Sequence, residues 1–452
     1  MGMHIRAGDG PAYTQEFASF IEHITFKDLP SATVHAARRG VLDWLGCALA
    51  ASRHPTIDKV IAVLEANGSS PRATVLGRAV RLSYSDTALV NGQMGHLLDY
   101  DDTHMGGVVL HASSPVLAAL LSAAERTPVS GKDLIVAYVS GFEAGLRVGR
   151  SAPGHHPGGW HLTGTLGTFA AAAAVAKLNH LDAQCITYAL GIAGTQASGM
   201  QQNRGTMCKS FHAGRAASNG LLAALLAEAG FDSSEEIVEG KRGFSRIYSD
   251  VAAPEQMTAQ LGSEWQIDGN GHKPYACGVV LHPAIDAMIE LGKDPQLHLE
   301  DIESITLRVN PLVVSITGTV APTTGLHSKF SIYHSAAVAL IDGEAGVAQY
   351  TDERAMDPRV VSVRDKISVL ADDSLRRDEA SADMVFRGKV YTAHIAHATG
   401  TVKNPMSDAA MQVKFLANAV PFIGDACAKQ VIDLVFALDD LSDVRELIKL
   451  CA

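Results

Sequence analysis

Apolar residues recur at helical spacing through most of the first 260 positions. Over 33–51 (TVHAARRGVLDWLGCALAA), Ala37, Val41, Leu45 and Leu49 share one stripe, which predicts a helix with one face in a core. Residues 115–126 (PVLAALLSAAER) open on Pro115, which suits a first helical turn, with Ser113 and Ser114 ahead of it as candidate caps. The stretches 164–178 and 185–199 are mostly Gly, Ala and Ser. Such helices bury little surface alone but approach one another closely, which places them in the middle of a bundle. Residues 212–230 continue the pattern and end at Gly230.

The period changes near residue 265. In SITLRVNP (304–311), Ile305, Leu307 and Val309 alternate with Thr306 and Arg308, the signature of a strand. MVFRGKVYTAHI (384–395) predicts a hairpin folded at Arg387-Gly388. Helical stretches at 282–292 and 331–342 lie between them, and after Asn404-Pro405 the chain turns helical again from about Asp408. The expected fold is therefore mainly α. A large helical domain takes 1–265 and 399–452, and a smaller α+β domain takes 266–398.

Composition fits this reading. Hydrophobic residues make up 47% and aromatic ones only 6%, so the interior must be built from Ala, Val, Leu and Ile. A net charge of −11 argues against nucleic acid or an anionic membrane as partner, but leaves room for a small anion held by a local cation cluster. The six cysteines, Cys47, Cys185, Cys208, Cys277, Cys427 and Cys451, form no CxxC pair. They predict reduced, mostly buried thiols in a cytoplasmic protein, with neither a disulfide framework nor an Fe–S cluster. The opening MGMHIRAGDG has no apolar core for a signal peptide and no acylation pattern, and no segment is apolar enough to span a bilayer.

Familiar motifs are missing. Asp99-Tyr100-Asp101-Asp102 fails as a calcium loop, because His104 and Leu110 stand where Gly and Glu belong. No dinucleotide or phosphate loop and no nucleophile elbow occurs. His155-His156 in a Gly/Pro loop reads as solvated loop rather than zinc ligands, and Asp101 and Asp102 read as helix caps or partners of loop amides.

Ionisable residues instead gather among small ones in four segments. These are 95–116 with Asp99, Thr103, His104 and His111; 159–169 with His161; 201–216 with Arg204, Lys209, His212 and Arg215; and 271–286 with His272, Lys273, Tyr275 and His282. Removing a proton next to a carboxylate builds a second negative charge on it, so fixed cations and strong donors are needed in a site shielded from water. Lys209, Lys273 and Arg204 suit that clamp. His111 or His161 suits the base, and Asp99, His212 or Tyr275 the second proton donor.

DYDDTH with its following HASSP, WHLTGTLG, GTMCKSFHAGRAA, KPYACGVVLHPAID, KFS with LIDG, and KNPMSD occur in that order. Together these blocks resemble the MmgE/PrpD family. The resemblance implies a large helical domain from both chain ends, an inserted α+β lid domain, a homodimer, and catalysis with neither metal nor organic cofactor. Position by position it points to Asp99, Thr103, His111, His161, Lys209 and Lys273, with Arg204, His212 and Tyr275 as further substrate-binding candidates. The activity it implies is that of a lyase, foremost a 2-methylcitrate dehydratase-like hydro-lyase. The alternatives are an iminodisuccinate epimerase-like isomerase and a cis-aconitate decarboxylase-like carboxy-lyase. One departure bears on the last: Gly278 stands where the decarboxylases carry a histidine, and His282 is too far along the chain for simple replacement.

Overall fold

The computed structural model describes residues 11–452; the opening decapeptide, which carries the expectations about signal and acylation sequences, lies outside the described residues. The chain forms two compact units. The first comprises the chain up to Leu97, then Asp101–Asn270 and Asp408–Ala452, and the second Leu98–Tyr100 and Gly271–Ser407.

The first unit is helical. Its main elements are α1 (Ser31–Ala51), α2 (Tyr84–Leu97), α3 (Ser113–Ala124), α4 (Gly131–Arg150), α5 (Leu162–Leu178), α6 (Ala183–Gly194) and α7 (Met207–Glu228). Every residue of α5 except Lys177 is buried, as its small side chains require. The small residues set how close the helices come. A Cβ on Gly214 of α7 would meet the Leu89 carbonyl oxygen of α2 at 2.2 Å, and one on Gly220 would meet Ala171 of α5 at 2.5 Å. The last part of the chain returns to this unit. Helix Asp408–Ile423 packs on α1, where Lys414 meets the buried Asp43 at 2.6 Å.

Two local expectations need correction. Ser113 and Ser114 do not cap α3; they lie inside its first turn, behind Ala112, and their hydroxyls donate to Asp102 and Asp101. Buried carboxylates must be given donors, and these hydroxyls supply them. Helix α7 begins at Met207 rather than 212, with Thr206 Oγ1 accepting from the amide of Cys208. Lys209 and His212 therefore share one helix. The thiols are less uniformly buried than composition suggested: Cys47, Cys277 and Cys451 are buried, Cys208 is exposed, and the others are intermediate.

The second unit is α+β. Strands β1 (Ile302–Val309), β2 (Ile367–Ala371), β3 (Ala380–Phe386) and β4 (Lys389–Ile395) form one sheet in the order β2-β1-β3-β4, with β1 and β2 parallel and the other pairs antiparallel. Ile305, Leu307 and Val309 of β1 are fully buried, as the alternation predicts. The β3–β4 turn places both Arg387 (φ 50°) and Gly388 (φ 70°) in the left-handed region, the geometry that fits a two-residue hairpin to the strand twist. Helix α8 (His282–Leu291) packs on β3 and β4, and α9 (Ile332–Asp342) packs on α8. Among the described residues, no helix is long and apolar enough to cross a membrane.

Candidate active site

In the first unit, four imidazoles form a continuous row. His96 lies in the last turn of α2, His111 just before α3, His161 at the start of α5, and His212 in the second turn of α7. Ring centroids are 4.7 Å apart for His96–His111, 5.5 Å for His96–His161 and 5.1 Å for His161–His212. None is more than 9% exposed. Sequence reasoning had found three of the four. His96 was passed over because it sits in an apolar helical run, where a lone histidine gives no local signal.

His111 Nδ1 lies 2.8 Å from the Asp102 carbonyl oxygen and 3.0 Å from Thr103 Oγ1. Asp101 Oδ1 is 3.5 Å from the same nitrogen, while its Oδ2 accepts from His96 Nδ1 at 2.9 Å and from Ser114 Oγ at 2.8 Å. Asp101 and Asp102 are both fully buried, and side chains hydrogen-bond to both of them. Asp102 accepts from Ser113 Oγ and Asn270 Nδ2. Burial, reinforced by the nearby Asp43 carboxylate, pushes Asp102 up to about 8, so it is protonated at neutral pH.

His161 and His212 face each other, Nδ1 to Nδ1, at 2.9 Å, so one of these nitrogens donates and the other accepts. Burial, then the other imidazoles and the Lys209 ammonium, hold His161 well below the usual histidine range; burial also lowers His212. Both rings are neutral at neutral pH. Beside them, Gly158, Gly159, Trp160, Met200, Gln201, Gln202 and Arg204 line a concavity of about 670 Å³. Arg204 is exposed, with His156 Nε2 at 3.4 Å. His155 is not solvated: it is 1% exposed and packed against Trp160, Phe244 and Tyr248, and that apolar box lowers it to about 4.

His96, Asp101 and His111 each bring one potential ligand atom within 4.8 Å of the others, the spacing of a metal site. The contact to the Asp102 carbonyl takes one nitrogen, His111 Nδ1, out of that set. That oxygen can only accept, so His111 Nδ1 must carry a proton, and a protonated nitrogen does not ligate.

The second unit gathers lysines. Lys273, 1% exposed, donates from Nζ to Asp99 Oδ1 at 2.6 Å and to the Asp99 carbonyl at 2.9 Å. Asp99 has a left-handed backbone (φ 54°), a strained conformation for a residue with a side chain. Lys329, the first residue of the KFS block, is 6% exposed and donates to the carbonyls of Leu98 and Ala276. Tyr275 turns elsewhere. Its hydroxyl donates to Asp286, and both residues line a separate concavity of about 520 Å³. Burial holds the Tyr275 phenol up and raises Cys277 to about 11, so neither ionises at neutral pH. A Cβ on Gly278 would touch only the Lys329 carbonyl, at 3.9 Å, while His282 is buried against the edge of Tyr275.

Comparison with known proteins agrees with these blocks. The MmgE/PrpD N-terminal domain matches residues 15–257 and the MmgE/PrpD C-terminal domain matches 275–439. The cis-aconitate decarboxylase of Aspergillus terreus is 28% identical, covering 97% of this chain and 95% of that protein. The mouse (Mus musculus) cis-aconitate decarboxylase is 27% identical over 97% of this chain and 93% of its own length. The 2-methylcitrate dehydratase of Escherichia coli K12 is 22% identical over 81% and 80%. With both family domains matched in their order along most of its length, the chain belongs to the MmgE/PrpD family and is an enzyme of that type.

Proposed function

We propose that the chain is a lyase that removes a proton next to a carboxylate of a small di- or tricarboxylate, and that it acts as a hydro-lyase on a 2-methylcitrate-like hydroxy-tricarboxylate. The observation that carries this reading is His111. A proton on Nδ1, demanded by the Asp102 carbonyl at 2.8 Å, leaves the ring's lone pair on Nε2, the arrangement of a general base. The buried surroundings favour a developing enolate-like charge when cations and donors face it. Lys209 supplies such a cation beside His161 and His212. In the second unit, Lys273 is the carboxylate-binding candidate, oriented by Asp99.

In the hydro-lyase reading, His111 Nε2 takes the carbon-bound proton as the carbon–oxygen bond breaks. The imidazolium so formed gives that proton to the departing hydroxyl, which leaves as water, and His111 returns to its neutral form. Gly278 favours this reading, since the histidine of the decarboxylase pattern is missing. A carboxy-lyase reading is favoured instead by the decarboxylase relatives, which match over 97% of the chain against 81% for the dehydratase.

Proton NMR in deuterated water, on EDTA-treated protein with citrate, 2-methylcitrate, cis-aconitate and aminated succinates, separates the readings. An unsaturated product from 2-methylcitrate is expected. Release of carbon dioxide from cis-aconitate would establish the carboxy-lyase. Deuterium uptake at an asymmetric carbon with no new product would establish an epimerase, and no exchange with any substrate would remove carbon-acid chemistry altogether.

A further inference from the structure

Asp101 has an unusual position for a buried carboxylate. It is fully buried, with two imidazoles and a serine hydroxyl around its two oxygens. His96 Nδ1 at 2.9 Å must donate to Oδ2, so the His96 lone pair falls on Nε2, which is buried and has no hydrogen-bond partner. An orphaned buried nitrogen is costly and is kept where something else requires it. Here it follows directly from turning His96 Nδ1 toward Asp101. The scaffold around this arrangement is tight. A Cβ on Gly95, next to His96, would come 2.1 Å from Trp44 Nε1 and 2.9 Å from Ser114 Oγ, so α1, α2 and the start of α3 fix both partners of Asp101.

With Oδ2 engaged by His96 and Ser114, Oδ1 is left facing His111 Nδ1 at 3.5 Å. The proton on that nitrogen already goes to the Asp102 carbonyl at 2.8 Å, so a carboxylate at that place acts through its charge: it stabilises the positive ring formed when Nε2 accepts a proton. Other charged or titratable groups close to this cluster are His161, His212 and Lys209 along the imidazole row, and Asp102 and the Asp43–Lys414 pair on the opposite side. Of these carboxylates, Asp43 is engaged by Lys414, and the Asp102 side chain is bound by Ser113 and Asn270.

We propose that Asp101, clamped by His96 and Ser114, is a positioning residue of the reaction: its charge, kept beside His111 by those two partners, supports the positive ring after proton transfer. This rests on the reading of His111 as the base. His96 does not touch substrate in this account; it aims Asp101.

Long-range proton–nitrogen NMR on the full chain, labelled with nitrogen-15 histidine, tests it without any substrate. The His111 signal is assigned by its loss in His111→Gln. An Nδ1-protonated ring is expected in the wild type, and Asp101→Asn should keep that tautomer but lower the pH at which the ring takes its second proton. On the substrate found active, Asp101→Asn should lower kcat by about 100- to 10,000-fold while KM stays within a few-fold. Ser114→Ala and His96→Asn, which keeps an amide N–H toward Asp101, should lower kcat less, by about 10-fold. These two variants carry the test if Asp101→Asn does not fold. An Nε2-protonated His111 in the wild type, or an unchanged His111 titration and kcat in all three variants, would overturn the proposal. If no substrate is found, the proposed function fails, and the His111 titration still decides this one.

Discussion

The candidate site residues of the two units are buried by different means. The first surrounds carboxylates with imidazoles and hydroxyls: His96, His111 and Ser114 about Asp101, and Ser113 about Asp102. The second surrounds ammonium groups with oxygen: Asp99 and its own carbonyl about Lys273, and two carbonyls about Lys329. An imidazole can exist neutral at neutral pH, and His161 and His212 are held so. The first arrangement is suited to moving protons and the second to holding anions. The difference should show in how each responds to losing one member.

The largest effect is expected at the base. His111→Gln should lower kcat by about 100- to 10,000-fold with little change in thermal stability, because a neutral ring is replaced by a neutral amide. Lys273→Ala should behave differently. It removes one partner of a buried ion pair, leaving the strained Asp99 without that ammonium, so a loss of about 3–5 kcal/mol in chemical denaturation should accompany a raised KM. If Asp99→Ala combined with Lys273→Ala is no more damaging than Lys273→Ala alone, the pair acts as a unit. If His111→Gln destabilises as much as Lys273→Ala, the contrast between the two arrangements collapses.

Much of the helical unit was legible because its elements announce themselves by period: α1, α5 and the start of the final helices stand where the apolar and small residues place them. The strand at 302–309 and the Arg387-Gly388 hairpin were legible for the same reason, through alternation and turn chemistry. The chemistry was less so. Asp101 and His96 carry no local signal, since what sets them apart is each other, brought together by the loop between α2 and α3. Ser113 and Ser114 misled because a serine before a helix reads as a cap until the loop carboxylates it meets are known. His155 misled in the same way: its Gly/Pro neighbours read as solvent, whereas Phe244 and Tyr248 come from almost a hundred residues further along the chain.

The smallest effect is also the one that isolates burial from catalysis. Asp102 sits in the imidazole-rich unit, but its side chain is bound to Ser113 and Asn270 rather than to a histidine, and burial raises it to about 8. A carboxyl raised in the folded state binds its proton more tightly there than in the unfolded chain. Its contribution to stability is full below the ordinary carboxylate range, near 3.8, and is lost as pH rises toward 8. Asp102→Asn keeps an oxygen for Ser113 and Asn270 but cannot ionise. The variant should therefore gain on the wild type as pH rises, reaching about 2–4 °C or more in Tm by pH 8.5, and the gain should level off above that. His161 acts with the opposite sign, because its lowered value removes stability only as pH falls below about 6.5. Calorimetry of both proteins between pH 5 and 9 gives the difference curve directly. A gap that stays constant with pH would mean that Asp102 is ionised in the fold.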